Sequence, residues 1–108
     1  MIPIVRETIV NAATAATGDA TANNPQSFHV TRFFITLQAG TSATLLVQAS
    51  TDGASWATLG TVSAAGTSVV EAERPWTNLR VSWTGNSGSK TITVVTEQMH
   101  SDPFGSVS

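Results

Sequence analysis

Glu71 and Glu73 stand two residues apart, a spacing that sends both carboxylates to one face of an extended strand. Two carboxylates roughly 5–10 Å apart are the equipment of glycoside hydrolysis, provided that one is kept protonated by a raised pKa. The polar face of any sandwich strand gives the same spacing, and Arg74, Arg80 or Lys90 could pair with these glutamates from neighbouring strands; this is the favoured reading. Serines and threonines are abundant, but a hydroxyl nucleophile needs a base, and His29 and His100 are the chain's two imidazoles. No G-x-S-x-G elbow is present. His29 falls at a partly exposed position of a predicted strand, and His100 with Asp102 offers two ligands in a tail, short of a closed metal site. Asp19, Thr21 and Asn23 echo the oxygen ligands of a calcium loop without its glycine and closing glutamate. The expectation is a protein that is not an enzyme, with no catalytic, cofactor-binding or metal-binding residues.

The stretch STDGASW, residues 50–56, raises a different question, because it lies between two apolar runs. It resembles the Asp box of sialidase-type propellers, but Asp52 is followed directly by Gly53, and one copy cannot build a propeller. Turn chemistry accounts for it: Asp52 is expected to bond backbone amides and Gly53 to accept positive φ, with Trp56 packing at the start of the next strand. Trp56 and Trp76 both begin strands near turns and are candidates for exposed aromatic contacts, either as a sugar platform or as plugs for an open sandwich end. Trp83 alternates with polar neighbours and belongs to the core.

The elements that must position these residues are strands. Residues 2–10, 28–38, 43–50, 56–62, 67–73, 77–84 and 90–99 are short runs rich in Val, Ile, Thr, Phe and Trp. Turn-forming residues separate them, among them Ala65-Gly66 and Asn86-Ser87-Gly88, which predict antiparallel hairpins. The pattern predicts a single antiparallel β-sandwich, jelly-roll or immunoglobulin-like, of about seven to eight short strands. Its expected parts are an N-terminal strand or arm with an Ala/Thr-rich linker (1–17), the sandwich core (18–99) and a C-terminal tail (100–108). GDATANNPQS, residues 18–27, reads as a long loop. In residues 28–38, Phe28, Val30 and Arg32 share one parity and Phe33, Ile35 and Leu37 the other. Either a bulge near Arg32 changes the facing, or both faces are covered and Phe28, Val30 or Phe34 meets another chain.

Composition closes several doors. The 108 residues fit one domain, and 41% hydrophobic with 11% charged residues describes a chain that folds. A net charge of −2 with five scattered Lys and Arg argues against sequence-independent nucleic-acid binding. There is no cysteine for a disulfide or a thiolate zinc site. No run approaches a membrane span, and the N-terminus lacks the pattern of a signal peptide.

The strings STDGASWATLGTV, AGTSVVEA and RPWTNLRVSWTG together resemble the small β-sandwich virion proteins of tailed bacteriophages, capsid decoration (cement) proteins above all. The resemblance covers roughly residues 28–98. It implies a structural virion protein, made in the host cytoplasm, that binds the major capsid protein from outside and stabilises the shell as a homo-oligomer, a trimer before a dimer. Neither nucleic acid nor membrane is expected as a partner. The inferred interface is the apolar N-terminal segment (Ile2, Ile4, Val5, Ile9, Val10) and Phe104 of the tail, with strand addition by the N-terminal segment as the mode. Rival readings are a neck, tail or fibre component, or a carbohydrate-binding module in which Trp56 or Trp76 stacks on a sugar beside Asp52 or Asn78.

Overall fold

The computed structural model describes residues 4–22, 30–73 and 76–99. Eight strands form: β1 (Ile4–Ala13), β2 (Gly18–Thr21), β3 (Val30–Leu37), β4 (Thr44–Ser50), β5 (Ala57–Val62), β6 (Gly66–Ala72), β7 (Asn78–Thr84) and β8 (Ile92–Met99). They build two four-stranded sheets, β1-β8-β3-β6 and β2-β7-β4-β5, in which every pairing is antiparallel. β1 pairs with β8, β2 with β7, β3 with β6 and β4 with β5. This nested order is that of a long hairpin rolled into two layers, which is the jelly roll and not the immunoglobulin arrangement.

Nesting corrects the expected hairpins. The turn between β4 and β5 is the one connection that joins consecutive strands within a sheet among the described residues. Ala65-Gly66 and Asn86-Ser87-Gly88 instead carry the chain across from one sheet to the other. Residues that tolerate positive φ serve such corners as readily as hairpins, and here Gly66 (φ 103°), Gly85 (φ 75°) and Ser89 (φ 53°) adopt it.

Alternation decides which side chains enter the core. Phe33, Ile35 and Leu37 of β3, Leu45, Val47 and Ala49 of β4, Leu79, Val81 and Trp83 of β7, and Ile92 and Val94 of β8 are all buried between the sheets. β3 keeps a continuous register against both neighbours, so no bulge lies near Arg32; Val30, Arg32, Phe34 and Thr36 point outward from a central strand.

From Ile4 onward the stretch read as strand or arm with its linker is part of the sandwich. β1 runs to Ala13 along the edge of the first sheet, and its register shifts between Thr8 and Val10 and between Val10 and Ala13. Such bulges twist an edge and discourage further strands from pairing with it. GDAT, read as loop, forms β2 on the edge of the second sheet.

Candidate functional site

The STDGASW turn is held by its own side chains. The Ser50 hydroxyl donates to Asp52 Oδ1 (2.9 Å) and accepts from the Asp52 and Gly53 amides (3.1 and 2.8 Å). Asp52 Oδ1 also accepts from the Ala54 and Ser55 amides, both at 2.8 Å. Gly53 takes φ 78°, as the turn requires. Bonds from the Ser55 and Ala54 amides, then from the Ser50 hydroxyl, hold the Asp52 carboxyl below its ordinary range. Asp52 is therefore committed to the apex of the nested strands. Ser50 is buried, and Ser50→Ala removes the acceptor of two amides; urea denaturation is expected to show a loss of about 1–3 kcal/mol.

The outer face of the second sheet carries an aromatic–cation cluster. β4 and β7 place Gln48 opposite Arg80. Arg80 Nε donates to Gln48 Oε1 at 2.8 Å, and its guanidinium lies 4.0 Å from the centroid of the half-buried Trp56 ring. The guanidinium thus covers one face of the indole as a cation–π contact. Trp76 takes a different place, packing partly buried against the core. Asn78 lies beside the turn, its Nδ2 3.6 Å from where a Cβ on Gly53 would stand. Sequence reasoning singled out Trp56 and missed its two companions. Each sits on the polar parity of its own strand, but joining them requires knowing that β4 pairs with β7.

A charged row crosses the outer face of the first sheet. Register places Arg6, Glu97, Arg32 and Glu71 side by side on β1, β8, β3 and β6. Arg6 pairs with Glu97, and Arg32 Nε with Glu71 Oε2 at 2.5 Å. Among the described residues the partner of Glu71 is therefore Arg32; of the cations expected from sequence, Arg80 belongs to the other sheet and Lys90 to the loop before β8, and Arg74 lies outside the described residues. The hydrogen bond from Arg32 holds the Glu71 carboxyl below its ordinary value, and the same bond raises Arg32. A glycosidase acid needs the opposite shift.

Lowered carboxylates fix the sign of the acid response. Glu71 and Asp52 contribute stability that is fully present above their ordinary values of 4.5 and 3.8 and is lost as pH falls through their lower folded values. Thermal stability is expected to fall in acid below these ordinary values. Because the Arg32–Glu71 pair is exposed, salt should blunt its share, and Glu71→Gln should flatten the profile.

The inferred N-terminal interface divides. Val10 is core, Ile9 packs partly buried against the core, and Val5 is 46% exposed. Ile4 pairs with Met99 through the backbone. Ile2 and Phe104 lie outside the described residues, as do His29, His100, Asp102 and Asn23. β1 pairs with β8 along one side, so from Ile4 onward the stretch is an edge strand of the first sheet and not a detached arm. The linker after it is pinned: Ala15 O accepts from Trp83 Nε1 (3.1 Å) and Asn86 Nδ2 (3.2 Å), and Ala16 O from the Asn86 amide (3.1 Å). Asp19 and Thr21 lie on β2, and no group of three or more metal-binding side chains occurs among the described residues.

No protein-family model and no curated protein matches the chain. Its fold is shared with solved structures of low sequence identity. The SPBc2 prophage-derived protein YomS aligns at TM-score 0.68 and 8% identity, over 92% of this chain and 95% of that one. The PBSX exported protein XepA aligns at TM-score 0.56 and 14% identity over 89% of this chain, which spans 37% of XepA. A family 29 carbohydrate-binding module from Piromyces equi, CBM29_1, aligns at TM-score 0.50 and 9% identity over 97% and 99%. The chain is similar in fold to phage-derived proteins and to a sugar-binding module.

Proposed function

We propose that this chain is a non-enzymatic structural protein of a phage virion, and that it decorates the outside of the assembled capsid. The carrying observation is the match with the prophage-derived YomS, which extends over almost the whole of both chains. The jelly roll adds support, since it recurs in viral capsid domains. So do two broad outer sheet faces, which suit repeated shallow contacts on a lattice better than a deep pocket would. The major capsid protein is the proposed partner, and the outer face of the second sheet, with Trp56 over Arg80, is the proposed contact. The test is cosedimentation with undecorated capsids followed by cryo-electron microscopy of the pellet. Saturable binding and ordered density at fixed lattice points are expected, with occupancy reduced by Trp56→Ala. Absence of binding across salt and temperature would overturn the decoration role and leave a neck, tail or fibre position.

The same cluster carries a second reading. A half-buried indole with Arg80 over one face and Gln48 bonded to that arginine offers its other face and its polar neighbours to a sugar ring. A saturable change in tryptophan fluorescence during glycan titration, abolished by Trp56→Ala, would favour a carbohydrate-binding module over capsid docking.

A further inference from the structure

The outward side chains of the first sheet fall into rows that cross all four strands. The charged row reads Arg6, Glu97, Arg32, Glu71 from β1 to β6, alternating in sign. Next to it lies a row of Thr8, Val95, Phe34 and Val69, in which Val69 is 54% exposed. Beyond these come Thr93, Thr36 and Thr67 on one side and Met99 with Val30 on the other. An antiparallel sheet with one solvated face ordinarily shows polar residues there. This face has apolar residues in register instead.

We propose that this face packs against the same face of a second copy of the chain, about a two-fold axis that runs along the strands between β8 and β3. The charge order selects both the occupant and the axis. Such a rotation exchanges β8 with β3 and β1 with β6 and keeps each row opposite itself. Glu97 then faces the partner's Arg32, and Arg6 faces the partner's Glu71, so all four positions meet the opposite sign. Val95 meets the partner's Phe34, and Thr8 the partner's Val69. An in-plane axis across the strands, laid along the charged row, would set Arg6 on the partner's Arg6 and every other charge on its own kind. An odd number of charges, or a row of one sign, would not be self-complementary under any such axis.

The size suits a weak dimer. Four strands about 4.8 Å apart and roughly seven residues long present a footprint of about 450 Å² per copy, just under the ~1,000 Å² total at which stable specific interfaces begin. Apolar rows supply the affinity. The charges chiefly set register, because pairing across the interface only offsets their desolvation. Arg6 keeps 71% of its side chain exposed and Arg32 40%, so both arginines are accessible to a partner. The inference is independent of the virion reading and concerns the chain in solution.

The full chain is expected to have the mass of two copies by sedimentation equilibrium; a monomer or a trimer would overturn the proposal. Val69→Lys changes an exposed side chain and should weaken the dimer by about tenfold or more while the circular dichroism spectrum is unchanged. The deciding variant reverses all four charges (R6E, E97R, R32E and E71R together), which preserves the pairs within each sheet. It should dimerise with itself but not exchange with the unaltered chain, since every facing charge would then be alike. Free exchange between the two would overturn the proposed face. A chain lacking residues 100–108 that dimerises where the full chain does not would assign the face to the tail instead.

Discussion

Replacing Trp83 with alanine is expected to cost about 3–5 kcal/mol in urea denaturation. Trp83 is the last inward residue of β7 and is 5% exposed. Its indole lies so close over Gly18 that a Cβ there would come within 2.4 Å of Cζ2. Its Nε1–H donates to Ala15 O. One side chain thus fills the end of the sandwich, leaves room for a residue without a side chain, and ties the linker that delivers β2. Trp83→Phe separates these roles. It keeps most of the apolar burial and gives up the hydrogen bond, and because Ala15 O still accepts from Asn86, the loss should be nearer 1–2 kcal/mol. Gly18→Ala tests the contact from the other side, with an expected cost of about 1–3 kcal/mol from overpacking. Combined with Trp83→Phe, it should cost less than the sum, since the smaller ring relieves the clash. A loss below about 1 kcal/mol for Trp83→Ala would mean that the indole does not close this end.

Trp83 also shows what could be read before any fold was known. Alternation along TNLRVSWT places Leu79, Val81 and Trp83 on one face, and all three are core. Period two reports the facing of a strand because one face must leave water. It does not report the partner. β1 and β8 are joined by an ion pair between residues 91 positions apart, Arg6 and Glu97, and nothing local to either strand announces it. For the same reason Arg32 was missing from the cations offered to Glu71, and Trp56 was seen without Arg80 and Gln48. β2 escaped notice on different grounds. GDAT has no β-branched or aromatic residue pointing inward, since Gly18 and Ala20 are the residues small enough to lie beside Trp83 and the core. A strand selected for lack of bulk looks like a loop. The turn at residues 50–55 was legible because its hydrogen bonds span no more than three residues.

Asn86→Asp is expected to cost about 3–5 kcal/mol at neutral pH although it changes no volume, and to reverse the protein's response to acid. The nested roll brings the crossing from β1 to β2 beside the crossing from β7 to β8, and Asn86 joins them. It is buried, and its Nδ2 donates to Lys90 O at 2.7 Å and to Ala15 O at 3.2 Å. Aspartate would set a carboxylate oxygen against these two carbonyl oxygens. The Asn86 Oδ1 finds no hydrogen-bond donor among the described residues, so the site has none to offer a carboxylate. Protonation relieves part of this, because a carboxylic acid can donate to Lys90 O. The folded pKa of the new side chain should therefore rise above its unfolded value. Its penalty is then smallest below the unfolded pKa and grows as pH rises through the folded one. The unaltered protein behaves in the opposite sense, since Asp52 and Glu71 lose their contributions as pH falls. The difference in unfolding free energy between the two chains should shrink steadily from pH 7 to pH 4. A small difference that is constant over that range would show that Asn86 is not the tie between the two crossings.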